Sequence, residues 1–128
     1  MPEQFEILSK SSIGSQGENI ALSYYQEDGW VLVTKNFQYY QKGRAGRRAE
    51  IDLILKKDNI LLIVEVKVRQ SNKFGTAIDS INATKLTNIK SGLAYFLIKN
   101  QLFKHFFIKI EIFCLDSGKV SIFPVHSL

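Results

Sequence analysis

The chain is 128 residues long, about one domain, with a hydrophobic fraction of 45% and a charged fraction of 23%, ordinary values for a soluble globular protein. One cysteine excludes an intrachain disulfide, and the longest purely aliphatic run, residues 60–64, falls far short of the roughly 20 residues of a spanning helix. The net charge of +5 favours an anionic partner, of which nucleic acid is the commonest.

The opening residues Met1-Pro2-Glu3-Gln4-Phe5-Glu6 lack a basic stretch followed by an apolar one, so we expect no targeting segment and a cytoplasmic location. Residues 1–13 have no clear period and are expected to be loosely ordered. Ser15-Gln16-Gly17-Glu18 then opens a helical pattern in which Ile20, Ala21, Tyr24 and Tyr25 recur, and Asp28-Gly29 stops it. Residues 30–34 and 37–40 are β-branched and aromatic and read as extended. Residues 41–47 hold two glycines and three basic residues, a loop composition. Residues 49–56 and Ile60–Arg69 read as strands joined by a turn at 57–59, a hairpin. A loop at 71–74 follows, with Gly75 as a turn requirement. Ile78, Ile81, Leu86, Ile89, Leu93, Phe96 and Leu97 then approach a 3.6-residue period, so residues 76–100 are predicted helical, with a break at 82–84. Residues 106–115 form a strand, Asp116-Ser117-Gly118 a turn, and residues 119–123 a last strand. The order α-β-β-β-α-β-β describes one α/β domain over residues 1–128, a central mixed sheet flanked by helices.

The two hairpin strands are strongly apolar, yet each carries ionisable groups within its length. Strand alternation puts Glu50, Asp52 and Ile54 on one face and Ile51, Leu53 and Leu55 on the other. In the next strand it puts Ile63, Glu65, Lys67 and Arg69 on one face. Carboxylates in such strands are normally paired, metal-bound or at a cleft, because burying a lone charge is costly. Across a hairpin, Asp52 and Glu65 come close enough to share one cation, and a divalent oxygen-seeking metal removes their repulsion. Lys67 points at the same place. This arrangement suits phosphodiester hydrolysis with Mg²⁺ or Mn²⁺. Glu18, opening the first helix, could complete the catalytic set of Glu18, Asp52, Glu65 and Lys67 through a water or a second metal, and Glu50 is an auxiliary candidate. An Asp with a Glu-x-Lys also fits a structural ion-pair cluster.

Asp52, a linker of twelve residues and then Glu65-Val66-Lys67 after an apolar strand resembles the PD-(D/E)XK nuclease superfamily. A closer resemblance is to the YraN family of small bacterial proteins, expected endonucleases similar to archaeal Holliday-junction resolvases. It rests on Gly14-Ser15-Gln16-Gly17-Glu18 with Ala21 and Tyr25; on Gly29-Trp30 and Asn36; on Glu50-Ile51-Asp52-Leu53-Ile54; on Val64-Glu65-Val66-Lys67-Val68-Arg69; and on Phe74-Gly75-Thr76-Ala77 with Ser80-Ile81, Lys85 and Ala94-Tyr95. The resemblance implies a restriction-endonuclease-like core. It implies Asp52, Glu65 and the Val66 carbonyl as metal ligands, Lys67 as the catalytic lysine, Glu18 as the first-helix acid and Lys85 as an auxiliary group near phosphate. It also allows a homodimer. Ala49 stands where that family usually has Gly, and Glu111 where it usually has Asp.

Lys35, Lys42, Arg44, Arg47 and Arg48 form a basic run without an acid, and with Arg69 they are the candidates for nucleic-acid contacts. Tyr39 and Tyr40 adjoin that run. Either they stack on unpaired bases, or one is core and the other half exposed. His105 and His126 are lone histidines without a zinc set, and Cys114 lies in an apolar run where a buried, inert thiol is expected. Phe96, Phe103, Phe106, Phe107 and Phe113 read as core. The expected function is a Mg²⁺- or Mn²⁺-dependent endonuclease acting on DNA, including branched or repair intermediates. The alternatives are a non-catalytic nucleic-acid-binding module on the same fold and a protein-interaction scaffold.

Overall fold

Residues 60–64, Ile-Leu-Leu-Ile-Val, are apolar on both faces of a strand, so they need a layer on each side and a neighbour on each edge. The computed structural model describes residues 10–40, 48–69 and 83–125. Its elements are α1 (Lys10–Glu27), β1 (Val31–Tyr40), β2 (Arg48–Lys57), β3 (Ile60–Arg69), α2 (Ala83–Lys99), β4 (Phe107–Asp116) and β5 (Lys119–Val125), with a 3₁₀ turn at Gln101–Phe103. The strands make one five-stranded sheet in the order β1-β2-β3-β4-β5, so β3 is central. Pairing is antiparallel except between β3 and β4, which run parallel. A tight turn cannot join parallel neighbours, and the crossover between them carries α2. The α/β class, the mixed sheet and the element order match the expectation from sequence.

Each face of the sheet has its own core. Ala21 and Tyr25 of α1 pack on Leu53, Leu55, Leu62, Val64 and Phe113. On the other face Ile89 and Phe96 of α2 pack with Ile51, Ile54, Leu61, Ile63 and Ile110, and Phe103 of the 3₁₀ turn joins them. Both helices therefore bury one stripe against a sheet that is apolar on both sides. Cys114 is buried with Ile112, as expected.

The turns follow their residues. Gly29, at φ +91°, ends α1; its N–H donates to the Gln26 carbonyl, and that of Trp30 to the Tyr25 carbonyl. This double closure satisfies carbonyls that a helix end otherwise leaves open. Asp58 takes φ +55° in the β2–β3 turn, and Ser117 and Gly118 take +50° and +83° in the β4–β5 turn.

Four details differ from expectation. α1 begins at Lys10, not Ser15; Ser11, Ser12 and Gly14 are indifferent or poor helix formers, so propensity hides those turns. The two extended pieces at 30–40 are one strand whose register shifts between Leu32 and Thr34. β5 runs on through Pro124 to Val125, because an edge strand tolerates proline. Phe107, expected in the core, is 67% exposed at the start of β4. Residues 1–9, the loop 71–74, Gly75, the expected helical positions 76–82 and His126 lie outside the described residues. No helix among the described residues is long and apolar enough to cross a membrane.

Gly17 sets how closely α1 lies on the sheet. It is buried, and a Cβ there would overlap the Val68 methyl Cγ2 of β3. Gly17→Leu is therefore expected to cost about 1–3 kcal/mol in urea denaturation followed by circular dichroism. Asn19→Leu, at an exposed position of the same helix, should change stability by less than about 0.5 kcal/mol.

Candidate functional site

β2 and β3 part company in the middle of the sheet. Their pairing runs from Lys57 opposite Ile60 to Leu53 opposite Val64 and stops there. Each strand continues with its other neighbour: β2 with β1 to Arg48 opposite Tyr40, and β3 with β4 to Arg69 opposite Asp116. A fork opens at Asp52. The Val66 N–H, which a continued ladder would have paired, donates instead to Asp52 Oδ2 at 2.8 Å.

The fork also breaks the alternation of β2. Ile51 and Ile54, three apart, share the α2 face, while Leu53 and Leu55 share the α1 face. The expected common face of Glu50, Asp52 and Ile54, opposite Ile51, is corrected accordingly. Asp52 is the irregular residue, and Asn36 on β1, which would have faced it, stands at φ +54° between paired neighbours. Such irregularities re-aim one side chain while the rest of the strand keeps its burial. Here the re-aimed side chain is a carboxylate that fits neither apolar face.

Glu65 keeps the alternation of β3 and follows Ile63 onto the α2 face. Its side chain is 2% exposed. Its Oε1 meets Lys85 Nζ of the first turn of α2 at 3.0 Å and Lys67 Nζ at 3.7 Å. Its Oε2 is buried, and no amide, hydroxyl or ammonium donor among the described residues reaches it. Glu18 comes from α1, on the opposite face, and hydrogen-bonds the Asn36 side chain. Glu18 from one helical layer and Lys85 from the other thus both act on Asp52.

The charges show the cost. Burial raises the Glu65 carboxyl, and the neighbouring Asp52 charge adds to it, so that it is pushed up to about 7 against the pull of Lys85 and Lys67. Burial also raises Asp52, opposed by the Val66 N–H and Lys85. Glu18 is raised by burial and then by the Asp52 charge. Lys85 is pulled down by its own burial, but Glu65, Asp52 and Glu50 outweigh this and leave it raised. The Asp52 and Glu65 carboxyls are near enough for each to act on the other. Two anions so placed repel, and a shared proton or cation relieves it.

These residues fit a hard divalent cation. Glu65 Oε2 and the Asp52 carboxyl could supply oxygen to it. Among the described residues no group of three or more His, Cys, Asp or Glu side chains stands close enough to hold an ion. The described residues could therefore offer such an ion two carboxylates, with backbone carbonyl and water to complete the set. Mg²⁺ commonly keeps several waters in this way. Glu18 and Glu50 act on this set through charge and are not part of such a group.

The other expected site residues divide. Lys67 is beside Glu65, and Lys85 touches it directly, a closer role than the expected place near phosphate. Lys35 is exposed, and its charge acts on Glu18. Arg69 ends β3 opposite Asp116. Lys42, Arg44 and Arg47 lie outside the described residues, as does the side chain of Arg48. His105 is exposed, and burial pushes the thiol of Cys114, opposite Lys67 on β4, up to about 11. Asn36 was marked in the sequence only by resemblance; its signal as a partner of Glu18 was a lone Asn inside a β-branched and aromatic run.

A model of the family described as "Uncharacterised protein family UPF0102" matches residues 17–115. A UPF0102 protein of Clostridium perfringens is 35% identical over 111 residues, 84% of this chain and 85% of its own. One of Neisseria gonorrhoeae is 36% identical over 89 residues, 70% and 71% of the two chains. One of Thermodesulfovibrio yellowstonii is 29% identical over 113 residues, 88% and 93%.

The raised Glu65 carboxyl makes stability depend on pH. Between its unfolded value of 4.5 and about 7, the folded state holds the extra proton. The resulting stability is complete below the unfolded value and is lost as pH rises through the folded one. In EDTA, Glu65→Gln should therefore be more stable than the parent at pH 8, on the order of 2 kcal/mol, with the difference gone at pH 4. Urea denaturation at the two pH values measures this, and a Gln variant weaker at pH 8 would refute the electrostatic account.

Proposed function

The chain belongs to the UPF0102 family, and we propose that it is a metal-dependent endonuclease that hydrolyses phosphodiester bonds in DNA. The observation that carries this reading is the pair of buried carboxylates at the fork, Asp52 and Glu65, with Lys67 alongside and no hydrogen-bond donor at Glu65 Oε2 among the described residues. The net charge of +5 agrees with a polyanionic substrate.

Asp52, Glu65 and the Val66 carbonyl would hold Mg²⁺ or Mn²⁺. When bound, such an ion polarises a phosphoryl oxygen and lowers the pKa of a coordinated water. Asp52 is positioned for its part by the Val66 N–H, which fixes one carboxylate oxygen. Lys67, about 29% exposed, reaches from Glu65 toward solvent, where it can orient water or offset charge developing on phosphate. Lys85 holds Glu65 Oε1 and keeps Oε2 directed elsewhere. Glu18 keeps a raised carboxyl on the other side of the fork, suited to hold a proton near the reacting groups.

The 3.0 Å contact of Lys85 with Glu65 favours a second reading, a protein-interaction scaffold in which the acids form a structural ion-pair cluster. That contact occupies Oε1 and leaves Oε2 open, which is why the first reading is preferred. Two measurements separate them. With Mg²⁺ or Mn²⁺ and a panel of junction, flap and single-stranded DNA, Asp52→Asn and Lys67→Met are each expected to lower cleavage at least about 100-fold. Parental activity no higher than that of Asp52→Ala on every substrate would sink the nuclease reading. In thermal and urea unfolding without DNA, Mn²⁺ at about a hundredfold over its dissociation constant should stabilise the parent by about 2.7 kcal/mol. Asp52→Asn should lose that stabilisation.

A further inference from the structure

A groove with a volume near 860 Å³ lies between the end of β1 and the outer half of α2. Gln38, Tyr39 and Tyr40 line it from the strand, and Ser91, Tyr95 and Ile98 from the helix. The rings of Tyr39 and Tyr95 stack with centroids 4.2 Å apart and planes 17° from parallel. Lys99 Nζ lies 5.6 Å from the centre of the Tyr95 ring. Tyr40 is 63% exposed. None of these residues takes part in the acid site.

The groove and the acids lie along the same helix, on the same side of the sheet. Lys85 meets Glu65 near the start of α2, and Gly92 sits against Ile51 and Ala49 of β2 at 3.3–3.8 Å from an added Cβ. Tyr95 is ten residues beyond Lys85, about 15 Å along the axis at the helical rise. A strand of nucleic acid at the fork can therefore reach the groove within a few nucleotides.

The lining suits a flat, amphipathic ring more than an aliphatic chain. Stacked tyrosines give a π surface, while Gln38 and Ser91 offer donors and acceptors for its edge. Positive charge is at hand in Lys99, and the sequence joining Tyr40 to Arg48 carries Lys42, Arg44 and Arg47 without an acid. That charge calls for a phosphate backbone, and aromatic rings beside it call for bases with a free face. Paired bases inside a duplex have none.

We propose that the groove is a nucleobase subsite, taking an unpaired base of a single-stranded segment of nucleic acid against the Tyr39–Tyr95 pair, with Lys99 toward the backbone phosphate. The proposal rests on the reading that the neighbouring site acts on nucleic acid, and it narrows the substrate to one with unpaired nucleotides beside the cleaved bond.

Fluorescence anisotropy in EDTA tests it, with three labelled probes: a twelve-nucleotide oligothymidylate, the same backbone without bases, and a blunt duplex. Tyr39→Leu and Ala94→Trp are each expected to weaken oligothymidylate binding about tenfold and to leave the other two probes unchanged. Tyr39→Phe should bind as the parent. Lys99→Met should reduce the dependence of log affinity on log salt by about 0.7 for the single strand. Ala94 is exposed and lines the groove, so a Trp there fills the space even if Tyr39→Leu fails to fold. Parental oligothymidylate binding by Ala94→Trp overturns the proposal, and so does equal weakening on all three probes. Cleavage assays on the same proteins keep the two readings apart. Tyr39-dependent binding without any cleavage removes the nuclease reading alone, and cleavage with unaltered binding in the groove variants removes the subsite alone.

Discussion

The structure turns on the parting of β2 and β3 at Asp52. A fully paired sheet has no place for a carboxylate in its central strands, because each face is covered by a helix and each backbone group is taken. Ending the ladder after Leu53 and Val64 creates that place. It frees the Val66 N–H for Asp52, which feels Glu18 of α1 and Lys85 of α2. Glu18, Asp52, Glu65 and Lys85 come from four elements, and Asp52 is the residue on which charges from the other three act.

That gap is held at an electrostatic cost. Three acids are raised, each first by burial. Lys85 and Lys67 soften the burden on Glu65, but both act on the same oxygen. A purely structural cluster would be expected to satisfy every buried oxygen, since an unsatisfied one costs more than a hydrogen bond contributes. Oε2 finds no hydrogen-bond donor among the described residues, and this sets the cluster apart from an ordinary buried ion pair.

Much of this was legible in the sequence. The apolar run of β3, the turns at 57–59 and 116–118 and the Gly29 stop all carry local chemistry that fixes their conformation. Asp52, Glu65 and Lys67 stood out because ionisable groups are expensive in such strands. The break at Asp52 was not legible: alternation is the default of any strand, and what overrides it is the long-range choice of which neighbour β2 keeps. The direct grip of Lys85 on Glu65 escaped for the same reason, since it depends on how α2 crosses the sheet. The exposure of Phe107 follows from its place at the margin of the sheet, which residue type alone does not reveal. The basic run at 42–47 lies outside the described residues, so its expected phosphate contacts stay a matter of sequence.

The opposite end of the β2–β3 hairpin is built in the contrary sense. Lys57 Nζ donates to the Asp28 carbonyl at 2.6 Å and lies 5.8 Å from the centre of the Trp30 ring. The hairpin turn is thereby fastened to the corner where α1 gives way to β1. The two strands resemble a clothes-peg, clasped at the turn and open at the jaws. Thermal opening of a paired ribbon starts where pairing has already ended and works inward. In this sheet the end without β2–β3 pairing is the one bearing the carboxylates, and the clasp at Lys57 lies at the other. The five paired positions behind the jaws hold the hairpin in register, and each jaw is held in turn by its outer neighbour, β1 or β4.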